Sequence, residues 1–99
     1  MPGPETNPVT KTGWTLVRPE DAIVGRTIHN YQPRYTVPVL DKQGQPVPGW
    51  SSNELLGLYV DATIIEIGAH RSDQPHGQSG YHVRVQFEVP EQYAGVEFV

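Results

Sequence analysis

The chain of 99 residues contains no cysteine, which excludes disulfide bridges, cysteine-ligated zinc and thiol catalysis. It also lacks a long hydrophobic run, and no stretch approaches the length that crosses a bilayer. The first residues have neither the basic start nor the apolar segment of a secretory signal. We therefore expect no membrane partner and a cytoplasmic location.

Long helices are disfavoured as well, because 10 glycines and 10 prolines interrupt most of the chain. The hydrophobic fraction is 36%, and the mean hydropathy is −0.47. Both values suit short strands that keep one face polar. The composition and the length together predict one small, mostly β domain.

Basic runs are also absent. The net charge is −4 at neutral pH, and all of it falls in residues 61–99, since the charges in residues 1–60 cancel. An acidic half repels phosphates, so nucleic-acid binding is disfavoured.

The clearest signals that are present are two alternating segments. Residues 58–67 alternate until the Ile64–Ile65 pair, where the apolar face changes side, as it does at a β-bulge. Residues 81–89 alternate without interruption, and Pro90 ends them. This pair resembles the hairpin of SH3-like barrels of the Tudor or KOW type, and the resemblance implies a small curved sheet.

Shorter apolar stretches predict further strands at residues 13–18, 23–30, 34–40 and 94–99. Pro38 places the third of these at an edge or a bulge, because proline cannot donate to a ladder. Asp41 and Gly44 predict a turn after it. Ser51 and Glu54 have capping-box spacing, which predicts a short helical segment over residues 51–57.

These elements predict a small five- to six-stranded barrel, SH3-like or OB-like, with one short helical segment. A β-sandwich is the alternative. The barrel is expected to occupy residues 13–99. Residues 1–12 are rich in proline and are expected to form a flexible N-terminal arm.

Catalytic patterns are missing. The chain has no Gly-x-Ser-x-Gly turn, and Gly77 and Gly80 lack the lysine and the helix of a phosphate-binding loop. Small barrels also fill their interior with side chains. We therefore predict a protein that is not an enzyme and has no cofactor.

A polar segment, residues 71–80, is expected to be a loop too long for a tight hairpin. His70 and His82 flank it and His76 lies inside it, so these imidazoles are the candidates for a metal site or a pH-responsive pair. Their spacing matches no metal motif, and the prediction is therefore no metal. The binding candidates in this loop are Arg71, Asp73 and His76.

Aromatic residues at predicted strand ends and in loops support protein binding. Trp50 is the first candidate, because Pro48 and Gly49 place it in a loop. Tyr31 and Tyr35 are the next candidates. The alternative role for such rings is to plug a barrel core.

The sequence thus predicts a non-catalytic protein-interaction module, of adaptor or inhibitor type. It would bind a protein partner, or itself, through barrel loops and an exposed edge strand. A first alternative is a structural assembly protein, such as a viral or phage particle component. In that case the arm joins the subunits, and deleting residues 1–12 abolishes the assembly. A second alternative is an OB-like barrel that binds single-stranded nucleic acid with salt-sensitive affinity.

Overall fold

The computed structural model describes residues 7–73 and 78–99. The strands in these ranges are β1 (Val9–Val17), β2 (Thr27–Tyr31), β3 (Arg34–Leu40), β4 (Pro46–Leu55), β5 (Val60–Asp73) and β6 (Gln78–Val89). Single 3₁₀ turns occupy Pro19–Asp21 and Glu91–Tyr93. Strands make up 64% of the described residues, which contain no helix of seven or more residues. In those ranges no helix has the length and apolar character needed to span a membrane.

The strand content confirms the mostly β prediction. All strand pairs in the described ranges are antiparallel. One sheet has four strands in the order β1-β6-β5-β2, and β3 and β4 form a second, two-stranded sheet. Val99 links the two sheets, since its N–H donates to the Arg34 carbonyl at 2.9 Å and its carbonyl accepts from the Trp14 N–H at 3.2 Å. No closed barrel is detected within residues 7–73 and 78–99.

The core lies on one face of the four-stranded sheet. Alternate residues of β6 point into it, as the uninterrupted alternation predicted. The Phe87 ring meets the rings of Tyr31 and Phe98, each with a centroid separation of 5.3 Å. Each fully buried aliphatic or aromatic side chain contributes roughly 1.5–3 kcal/mol. The buried hydrophobic residues are Tyr31, Leu56, Ala62, Ile64, Val83, Val85, Phe87 and Val89.

Strand β5 is irregular at two places in its ladder with β6. The register shifts between Ile64 and Glu66, which confirms the bulge predicted at the Ile64–Ile65 pair. It shifts again between Ile67 and His70, where no sequence pattern predicted a bulge. Because each extra residue reverses the sides that follow, the second bulge decides which face His70 occupies.

Two predictions about local structure are wrong. Residues 51–57 do not form a helical segment, because residues 51–55 belong to β4 and lie opposite β3. The capping-box spacing is a local preference, and the ladder with β3 overrides it. The predicted loop of residues 71–80 is wrong at both ends, since residues 71–73 belong to β5 and residues 78–80 to β6, while residues 74–77 lie outside the described residues.

The first strand also begins earlier than the predicted boundary at residue 13. It starts at Val9, which lies opposite Val89 in the ladder with β6. Residues 9–12 of the expected arm are therefore part of the four-stranded sheet. Deleting residues 1–12 would remove ladder pairs as well as the arm.

The molecule is flat and extended. Its principal extents are 48 × 47 × 18 Å, and its Cα radius of gyration is 16.4 Å. A compact chain of this length has a radius of gyration of about 13 Å. The difference reflects two long hairpins, β3–β4 and the far end of β5–β6, whose residues are mostly exposed.

Gly80 provides a test of how β1 packs on β6. A β-carbon at Gly80 would overlap the Val17 carbonyl oxygen, whereas a β-carbon at Gly57 would meet open space. We expect Gly80→Ala to lower the free energy of unfolding by about 1–3 kcal/mol, because the backbones must separate. Gly57→Ala should change it by less than about 0.5 kcal/mol. Chemical denaturation measures both, and equal effects would contradict this packing.

Candidate protein-binding site

The tip of the β3–β4 hairpin is held by Asp41. One carboxylate oxygen of Asp41 accepts from the N–H groups of Gln43 and Gln45, each at 2.9 Å. The Asp41 carbonyl accepts from the Gly44 N–H at 3.0 Å. Gly44 has φ +80°, a conformation that favours glycine. These local bonds form the predicted turn and fix the hairpin without help from the core.

The base of the same hairpin is anchored to the core. The Leu56 N–H donates to the Pro33 carbonyl at 2.8 Å, and the Gln32 side-chain amide donates to the Leu56 carbonyl at 3.0 Å. Leu56 and Pro33 are buried, and Tyr35 packs half-buried against the core. One end of the hairpin is therefore fixed while the other end projects.

Strand β4 is exposed along nearly its whole length. Every residue from Pro46 to Leu55 is exposed except Val47, which is half-buried. Trp50 has 68% of its surface exposed, and Leu55 has 48%. A two-stranded hairpin is marginally stable by itself in water, so contact with another chain can stabilise it.

The outer edge of β4 carries backbone groups that no other described strand pairs with. Val99 bonds to the Arg34 carbonyl, so the polar backbone groups of Arg34 face away from β4. Leu55 lies opposite Arg34 in an antiparallel ladder, and its N–H and C=O groups therefore point outward too. By alternation, Asn53 and Ser51 also present outward groups. Strand β4 thus offers a row of free donors and acceptors.

The position of Pro38 is consistent with this assignment of outward backbone groups on β4. Pro38 lies opposite Ser51 and has no N–H to donate. Proline therefore fits a non-hydrogen-bonded pair, in which the backbone groups of both residues point away from the partner strand. The register also shifts between Pro38 and Leu40, which confirms the edge or bulge that the sequence predicted there. The shift lies next to Gly49, which has φ +78°.

Other strand edges in the described ranges are partly covered or interrupted, β1 by a single bond at Trp14. Strand β1 bonds to Val99, β3 contains Pro38, and β2 is irregular near Asn30, which has φ +60°. The free part of β5 carries bulges. Bulges, prolines and lysines are the usual means of keeping edges from pairing. Residues 50–55 contain none of these and a single charged residue, Glu54, so the edge of β4 is weakly protected.

The structure places the predicted aromatic candidates in different environments. Trp50 lies in a strand and not in a loop, and it is exposed as a binding residue needs to be. Tyr35 lies half-buried at the base of the hairpin. Tyr31 is only 9% exposed and belongs to the core, where its ring packs on Phe87.

The candidate metal ligands do not converge. His70 lies opposite Tyr81 and shares its side of the sheet, with ring centroids 5.1 Å apart. His82 follows Tyr81 and points to the other side, where its ring lies 5.3 Å from the Trp14 ring. The prediction that the two imidazoles lie close together is wrong, because the second bulge of β5 changes the face of His70. His76 lies outside the described residues. Within them, no group of three or more His, Cys, Asp or Glu is placed to hold a metal.

The charged candidates belong to a different hairpin from Trp50. Arg71 and Asp73 lie in β5, opposite Gly80 and Gln78 in the ladder with β6, and Arg71 is exposed. The structure therefore does not bring Arg71 and Asp73 together with Trp50 in one strand pair.

Sequence reasoning missed Ser51, Asn53 and Leu55, which matter through their backbone groups. A strand exposed on both faces has no alternation to detect. The one available signal is that residues 49–55 form the proline-free part of β4. No protein-family model, curated protein or solved structure matches the chain. The function of the hairpin is therefore inferred from its own geometry.

Tyr31 makes stability sensitive to alkaline pH. Burial raises the pKa of Tyr31 above its usual value, and the positive charge of Arg34 offsets this by a smaller amount. Because the folded pKa is the higher one, stability is unaffected below about pH 10 and falls as the pH rises through the folded pKa. We expect Tyr31→Phe to reduce this alkaline loss, measured by denaturation at several pH values. Tyr59→Phe, at an exposed position, is the control. Equal pH dependence in both variants would contradict the assignment.

Proposed function

We propose that this protein is a non-catalytic protein-interaction module whose β3–β4 hairpin docks onto a partner chain. One observation carries the proposal: the outer edge of β4 is exposed, weakly protected and pairs with no strand of residues 7–73 and 78–99.

A strand added by a partner chain would pair with the open edge of β4 and cover its exposed apolar side chains. A partner strand bonds to the outward backbone groups of Ser51, Asn53 and Leu55. Trp50 provides an aromatic anchor of the kind that dominates interface energies. Covering Trp50 and Leu55 also removes apolar surface from water, with a gain of roughly 25 cal/mol per Å². Backbone pairing and apolar burial therefore favour the same contact.

We also infer that the four-stranded sheet and the β3–β4 sheet together form a half-open barrel of the SH3-like or OB-like kind, with a β-sandwich as the alternative. The bridge from β1 through Val99 to Arg34 in β3 supports this, because it joins the edges of the two sheets. The bulge at Ile64–Ile65 supports it too, since bulges bend strands.

A second candidate function is that of a structural assembly protein. The flat shape, with a thickness of 18 Å and two projecting hairpins, favours it. A slab of this kind presents its edges to neighbours and lets sheets continue from one subunit to the next.

Site-specific photocrosslinking in the cells that make the protein tests the main proposal. With Trp50→benzoylphenylalanine, we expect a discrete covalent adduct after irradiation, because the side chain lies beside the docking edge. The same probe at Glu88, an exposed position on β6, should give no discrete adduct.

Adding Asn53→Pro to the Trp50 probe should remove the adduct, because the proline deletes an outward N–H from the edge. Gel mobility and mass spectrometry measure each yield. Absence of an adduct at position 50, or equal yields at positions 50 and 88, would overturn the proposal.

A further inference from the structure

We infer that the chain which pairs with the β4 edge is a second copy of this protein, so that two hairpins join edge to edge in a two-fold dimer. This rests on the proposed function and names its partner. Three features of the described residues support it: the charge of the hairpin, the sequence of the edge and the symmetry of the resulting contact.

The charge distribution favours a second copy. The chain carries −4 overall, but the hairpin from Arg34 to Leu55 is neutral, because Arg34 and Lys42 balance Asp41 and Glu54. All of the net negative charge therefore lies elsewhere. Two copies repel each other mainly through residues 61–99, and the hairpin adds no net charge to that repulsion. A basic partner would instead be drawn to the acidic remainder of the chain.

The edge is complementary to itself. Ser52 lies at the centre of residues 49–55, the proline-free part of β4. Antiparallel pairing about Ser52 places Ser51 of one copy opposite Asn53 of the other. Both residues present outward N–H and C=O groups, so these pairs form about four backbone hydrogen bonds.

The same register avoids contact between like charges. Glu54 is the one charged residue of β4, and it comes opposite Trp50 of the second copy. The two Glu54 side chains are separated by ~13 Å along the strands. That distance exceeds the Debye length of about 10 Å at 0.1 M salt, so their repulsion is screened.

Two-fold symmetry closes the contact. Each copy uses the same edge, and the edge is consumed when the pair forms, so growth stops at two chains. The expected species is a dimer of about twice 11.0 kDa, not a filament.

Light scattering coupled to size-exclusion chromatography tests the inference on the full chain over about 1 to 500 µM protein. We expect the molar mass to rise from 11.0 kDa towards about twice that value. Asn53→Pro should weaken dimerisation by about tenfold or more, because it removes a pairing N–H.

Thr10→Pro is the matched control, because it also removes an edge N–H. The Trp14 N–H faces Val99 and not β6. By alternation along β1, the Thr10 N–H faces outward too, and Thr10 is exposed. This variant should dimerise like the unchanged protein.

A proline can also unfold a hairpin, so amide hydrogen exchange on the unchanged chain gives a second measurement. At high concentration the Ser51 and Asn53 amides should gain protection, and the Thr10 amide should not. A mass of 11.0 kDa at every concentration, with no gain in protection, overturns the inference. The inference is also overturned if a folded Asn53→Pro variant still forms the dimer.

If the Trp50 probe captures a different protein while the chain stays monomeric, the second copy is excluded and the proposed function stands. If it captures nothing, both fail.

Discussion

The rest of the structure depends on the two-sided pairing of β6. Its backbone bonds to β1 along one edge and to β5 along the other. Its alternate side chains, among them Val83 and Val85 with no exposed surface, provide the centre of the core. A central strand with one buried face and one solvated face needs strict alternation, and this segment has the clearest alternation in the chain. The segments that cover this face are shorter and less regular than β6. They include the end of β2 at Tyr31 and the bridge at Phe98.

This arrangement leaves stability unevenly distributed. The core residues come from β5, β6 and the segments that cover them, whereas β4 adds no buried residue within its own bounds. The hairpin therefore relies on local bonds at Asp41 and on the anchor at Leu56. Binding elements are drawn from the locally less stable parts of a fold. A partner can order such an element without any change in the packing of the core.

The sequence predicted those parts in which a pattern reports directly on burial or pairing. The alternation of β6, the change of face at Ile64 and the edge at Pro38 are of this kind. It failed where tertiary pairing decides. Residues 51–54 are polar, and residues 51–55 are exposed on both faces, so their sequence shows no strand periodicity. The local spacing of Ser51 and Glu54 favours a helix instead. The face of His70 depends on a bulge with no apolar signature, so its separation from His82 was beyond the reach of pattern reasoning. The sequence predicts the exposure of Trp50, because this large ring lies among proline, glycine and serine. It does not predict that Trp50 belongs to a strand.

The ladder between β1 and β6 has a consequence for how the chain reaches this structure. Val9 lies opposite Val89, so the sheet joins segments from opposite ends of the sequence. Such distant pairing is slow, because a long loop must close before any contact rewards it. Hairpins form within microseconds. The β3–β4 hairpin, with its bonded turn, should therefore form transiently while β1 is still unpaired, which is before the core is complete.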